Sequence, residues 1–154
     1  MSPCRRSHLV LTLMLPSLAA CQAQPPQPPA PRDATPVAAS FDATWDATID
    51  HFAENNIPIA TIERASGIIA TTELRVDREV AEESSDCGTG QGISSDMRFH
   101  ATTAVYNILV RGDGRSSTVR ATVSWVNPAA NFECVTTGVW EAGTEEAIRV
   151  RAEG

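Results

Sequence analysis

The chain has 154 residues, 42% of them hydrophobic and 20% charged, which suffices for one ordinary core and is too little for two full domains. Its formal net charge is −7, from 12 basic and 19 acidic residues. A chain of that sign lacks the clustered cationic footprint of a sequence-independent nucleic-acid binder. All its basic residues are arginine, so lysine Schiff bases, Walker-type phosphate lysines and Ser–Lys dyads are excluded.

Arg5 and Arg6 make a short positive segment, and Leu9 to Leu15 form an apolar run too short to span a bilayer as a mature helix. Small residues follow at Ser17, Ala19 and Ala20, so residues 1–20 read as a secretory signal. Leu18-Ala19-Ala20-Cys21 resembles the lipobox of bacterial lipoproteins. The resemblance implies cleavage before Cys21, a diacylglycerol on its sulfur and an acylated amino group. Gln22 in place of an aspartate after that cysteine implies transfer to the outer membrane. Ordinary signal cleavage with an incidental Cys21 is the alternative. Three acyl chains exceed the two signals that stable anchoring requires. No later segment is apolar enough to span a membrane. The expectation is therefore a lipoprotein of the bacterial outer membrane, anchored but not crossing, with its domain facing the periplasm. Loss of residues 1–20 leaves 10 Arg against 19 acidic residues, a charge of −9. Anionic lipids then offer no electrostatic help, and acylation supplies the attachment.

After Cys21, residues 21–39 carry six prolines (Pro25, Pro26, Pro28, Pro29, Pro31 and Pro36) and almost no large apolar side chain. Such a segment buries too little surface to fold and reads as a disordered spacer; an SH3-type ligand is the less fitting alternative. At about 3.1 Å per residue in polyproline II it would hold a domain up to roughly 50 Å from the bilayer.

The folded domain is expected over residues 40–154. Phe41, Trp45, Ile49 and Phe52 recur at helical spacing behind Ser40 as N-cap. Asp42, Asp46, Asp50 and Glu54 form an adjacent stripe, either a solvated face or an attractor of a basic partner or divalent cation. Asn55, Asn56 and Pro58 end the helix. Residues 57–63 and 68–76 read as strands around the turn Ala65-Ser66-Gly67, the second with Ile68, Ala70, Leu74 and Val76 on one face. Residues 77–100 read as a loop. Gly88, Gly90 and Gly92 there lack the flanking strand, helix and Lys-Ser/Thr of a phosphate cradle.

Residues 101–111 and 117–127 are the clearest strands, joined at Gly112-Asp113-Gly114, with Val119, Ala121, Val123 and Trp125 on the buried side. Arg111-Gly112-Asp113 spells an adhesion tripeptide, but a hairpin turn accounts for all three residues. Thr137 is placed to cap a last helix with Trp140, Thr144, Ala147 and Ile148 on one face; 147–152 could instead be a strand, since Gly143 weakens the helix. The element order gives an α+β fold: a single antiparallel sheet of about four strands with the N-terminal and C-terminal helices packed on one face.

With Cys4 removed and Cys21 lipidated, Cys87 and Cys134 remain, and an oxidising compartment makes a disulfide between them the default. A redox role would want Cys-x-x-Cys spacing, which is absent. His51 and His100 belong to no metal-ligating spacing, so no metal and no cofactor are expected. No Gly-x-Ser-x-Gly elbow occurs, Ser94-Ser95-Asp96 reads as a turn, and nothing in the sequence places two carboxylates in one cleft. The chain is therefore not expected to be an enzyme.

Trp45, Ile57-Pro58-Ile59 and Ser66-Gly67-Ile68-Ile69-Ala70-Thr71 resemble small envelope lipoproteins of uncharacterised function. More distantly they are similar to the domains of BamC-type accessory lipoproteins of the outer-membrane barrel-assembly machinery. The resemblance covers residues 41–76 and implies a binding module rather than an enzyme; this chain has one such domain where that family has two. The expected function is a non-catalytic, lipid-anchored domain that binds an envelope protein or supports envelope assembly. The alternative is a disulfide-bonded inhibitor or ligand-binder, such as a lysozyme inhibitor acting through the loop 84–96. A cell-wall hydrolase ranks last. The expected partners are the membrane through the lipid, and an envelope protein.

Overall fold

The computed structural model describes residues 26–88, 102–126 and 133–154. In chain order the elements are β1 (Thr35–Val37), α1 (Phe41–Glu54), β2 (Ile59–Glu63), β3 (Ile68–Thr71), β4 (Leu74–Arg75), α2 (Arg78–Ser84), β5 (Ser85–Asp86), β6 (Thr103–Gly112), β7 (Ser117–Val126), β8 (Glu133–Thr136) and α3 (Val139–Glu153). The described residues thus form an α+β fold with three helices and one antiparallel sheet.

That sheet has eight strands rather than about four, in the order β2-β3-β6-β7-β8-β5, with β1 also on β7 and β4 also on β6. The additional strands are two to four residues long. A period of two cannot be read from so few residues, and their pairing partners are remote in sequence.

Ser40 starts α1 as expected: its backbone is extended and its hydroxyl accepts from Ala43 N at 3.2 Å. Thr44, Trp45, Thr48 and Phe52 form the buried stripe, and Asn56 closes the helix with φ at 53°. On β6 and β7 alternate residues face the helices. Ile108, Val110, Val119 and Ala121 share one core with Trp45 and Phe52 of α1 and Ile148 of α3. The far end of the same face holds a second cluster of Ala81, Ala104, Tyr106, Trp125 and the Cys87–Cys134 pair.

The expected face of the 68–76 strand is half inverted. Ile69 is fully buried while Ile68 is 39% exposed. Directly paired residues share a face, and Ile69 pairs with Ile108, which points to the core. The pairing then breaks at Thr72 and Glu73, and Leu74 resumes opposite buried Ala104. One break of two residues with a shift in phase moves the inward set from 69 and 71 to 74. Thr71 spans the break by accepting from Tyr106 N through its hydroxyl at 3.0 Å.

Three further expectations change. Thr35–Val37, assigned to the spacer, is a strand against Ser117–Val119. Arg78–Ser84, assigned to a loop, is a two-turn helix too short to show an apolar period. Residues 147–152 are helical, and Gly138 rather than Thr137 is the N-cap of α3, with φ at 85°. No helix among the described residues is long and apolar enough to cross a membrane.

Candidate functional site: a cleft at the interrupted sheet edge

The edge of β7 away from β6 is shared by two strands that do not meet. β1 pairs with Ser117–Val119 and β8 with Trp125 and Val126. At the gap between them a cleft of about 160 Å³ opens, with Pro29, Pro31 and Arg32 on one wall, Ala121 and Thr122 of β7 below, and Glu141 and Glu145 of α3 on the other wall. The two glutamates are one helical turn apart and so lie on one face. They are 3% and 1% exposed.

A carboxylate so deeply buried requires donors, and Glu145 has three. Oε1 accepts from Ala121 N at 2.8 Å, taking the place of a missing strand partner. Oε2 accepts from the Arg32 guanidinium at 2.8 Å and the Thr35 hydroxyl at 2.6 Å. Arg32 is about one-third exposed, so the pair joins a dry anion to a half-hydrated cation. Glu141 accepts from the Thr136 hydroxyl at 2.8 Å. Beyond it, Tyr106 stacks on Trp140 with centroids 3.9 Å apart. Burial, with the nearby Glu141 charge, pushes the Tyr106 phenol up to about 12.

A general base needs a lone pair within reach of a substrate proton. Both oxygens of Glu145 are instead occupied by the chain's own donors. One side chain of α3 thus joins the N-terminal arm to the open backbone of β7.

The structure thus brings together two carboxylates that sequence reasoning did not pair. A signal was present, since Glu141, Thr144, Glu145 and Ile148 are all buried on one stripe of α3. Acids on an apolar stripe require partners, but the two side chains that serve Glu145 lie 113 and 110 residues away, in the arm.

The other sequence-level candidates resolve as follows. Cys87 and Cys134 form a disulfide with sulfurs 2.02 Å apart, fastening β5 to β8. Cys21, His100 and Ser94-Ser95-Asp96 lie outside the described residues. The acidic stripe of α1 is met by two arginines of the same chain. Arg64 lies 2.6 Å from Asp42 and 3.8 Å from Asp46, and Arg151 pairs with Asp50 and Glu54. Arg64 also covers the stacked Phe41 and Trp45 rings. The stripe is therefore a braced, solvated face.

His51 is half-buried near Arg151, and desolvation, then that charge, hold its pKa below the usual value. In Arg111-Gly112-Asp113 both side chains are engaged: Arg111 donates to Ser66 O at 2.7 Å, and Asp113 Oδ1 accepts from Arg115 N at 2.8 Å and Ser116 N at 3.1 Å. Those two amides hold the Asp113 carboxyl below its ordinary range. No group of three or more His, Cys, Asp or Glu residues suited to a metal occurs among the described residues.

No protein-family model matches this chain, and no curated protein matches it.

Proposed function

We propose that this protein is a lipid-anchored lipoprotein of the outer membrane, attached through Cys21, whose α+β domain binds an envelope protein on the periplasmic side without catalysing a reaction. The observation that carries the reading is the sheet face opposite α1 and α3. Ile68 pairs with Leu109 there, and Val105 lies four residues along β6 on the same face, with Asn107 between them. Val126 at the end of β7 adds to the same surface. Ile68 and Val126 are 39% and 45% exposed, and Leu109 and Val105 are half-buried. Arg111 and Arg120 are exposed and lie beside that apolar row, through Arg111 on β6 and the Leu109–Arg120 pair. An apolar row rimmed by arginine is the usual make-up of a protein-binding surface. The engagement of Glu145 by three internal donors supports the non-catalytic part of the proposal.

A photo-crosslinker in place of Leu109 should trap one discrete envelope protein in intact cells, while the same group at Asp46 on the helix face should not. Equal, diffuse labelling from both positions at native expression would overturn the proposal. The second reading, a small inhibitor or ligand-binder, draws on Cys87, which fastens the start of the 84–96 segment to β8. Inhibition of a lysozyme by the purified domain would favour that reading instead.

A further inference from the structure

We infer that the Pro-rich arm is a docked strap, so the domain is held with its α2–β5 end close against the bilayer surface instead of at the far end of a long spacer. The inference rests on the lipid-anchor reading above.

The arm is fastened at four places. Gln27 N donates to Asp86 Oδ2 of β5 at 3.3 Å. Arg32 and Thr35 donate to Glu145. Thr35–Val37 pairs with β7, and Ala38 N donates to Glu153 Oε1 at 2.8 Å. The arm therefore runs from the Ser117 end of β7, past the cleft between β1 and β8, to Asp86 of β5.

Between Cys21 and Pro26 only five peptide links are left to span from lipid to protein. Fully extended at about 3.4 Å each they reach roughly 17 Å, against roughly 50 Å for an undocked spacer. The point beside Asp86 is then always within that distance of the headgroups. The Asp113–Ser116 turn lies at the opposite end of β7 from β8. Ten residues of strand, about 30 Å, separate the two ends. The α2 surface at the near end is acidic, with Asp77, Glu79, Glu82 and Glu83 all exposed. Its charge repels anionic headgroups within about 8 Å, so it is the strap, and not electrostatic attraction, that keeps this end within reach of a zwitterionic phospholipid surface.

The test uses the full lipidated protein in phosphatidylcholine vesicles carrying a headgroup-attached, short-range quencher. A fluorophore placed at Glu83→Cys should be quenched several-fold more than one at Arg115→Cys. Inserting twelve Gly/Ser residues after Ala23, ahead of the arm contacts that begin at Gln27, should abolish the difference. The double variant Arg32→Ala, Glu145→Gln should reduce it. Equal and weak quenching at both positions, with the diacyl mass intact on Cys21, would overturn the strap while leaving the lipoprotein reading in place. Absence of that mass and of vesicle binding would overturn both.

Discussion

Glu145 is the side chain on which the arm, α3 and the β7 edge converge, and Glu145→Ala is the decisive perturbation. It removes three acceptor contacts of 2.6 to 2.8 Å from a residue that is 1% exposed. Ala121 N is left buried without a partner, at a cost of about 1–3 kcal/mol. The Thr35 hydroxyl and the small cavity each add about 1 kcal/mol. Arg32 is one-third exposed and rehydrates, so its share is discounted. The expected loss is therefore roughly 3–5 kcal/mol, or roughly 12–20 °C in Tm for a domain of this size. Arg32→Ala should cost less, about 2 kcal/mol, because the carboxylate keeps its other two donors. The double variant should fall short of the sum by about 1 kcal/mol, since the two residues share one contact. Urea denaturation with the disulfide intact reads all three values. A Glu145→Ala midpoint within about 1 kcal/mol of wild type at unchanged m-value would refute the clamp.

Tyr106 is the single tyrosine of the chain, so phenolate absorbance reports on it alone. Its raised pKa means that its contribution is fully present below the unfolded value near 10 and is lost as pH rises through about 12. A native midpoint near 12, falling in Glu141→Gln and in urea, is expected; a native midpoint near 10 would contradict the buried stack. Opening the disulfide with Cys87→Ser and Cys134→Ser together should cost up to about 4 kcal/mol for a separation of 47 residues. Mass after alkylation of the unreduced protein should show no free thiol at either position. Gly67 has φ at +67° and an added Cβ would lie 2.1 Å from Val110 O, whereas Gly143 has open space around it. Gly67→Ala should therefore cost at least about 2 kcal/mol and Gly143→Ala should stabilise by about 0.5–1 kcal/mol, both read from thermal midpoints.

Local regularity made much of the fold legible. The Ser40 cap, the Trp45 and Phe52 stripe, and the alternation of Val119, Ala121 and Trp125 are each complete within a dozen residues, and the structure reproduces all of them. The pair of isoleucines at 68 and 69 is different. Either could face inward, and the choice was made by Ile108 across the ladder. The candidate site was less legible still. Glu141 and Glu145 stand on the buried stripe of α3, but what makes their burial tolerable is Thr136, Ala121 N, Arg32 and Thr35, three of them outside the helix and its flank.

By itself, then, the sequence determined the helix–hairpin–helix frame, because propensity, capping and apolar period are properties of neighbouring residues. The Cys87–Cys134 pairing, expected from the secretory-signal reading, is present in the structure. Tertiary structure alone decided that residues 35–37 belong to the sheet, since a Thr-Pro-Val tripeptide has no strand signal until β7 offers an unpaired edge. It alone decided that the arm is bound, because two of the three donors to the buried Glu145 carboxylate come from the far end of the chain.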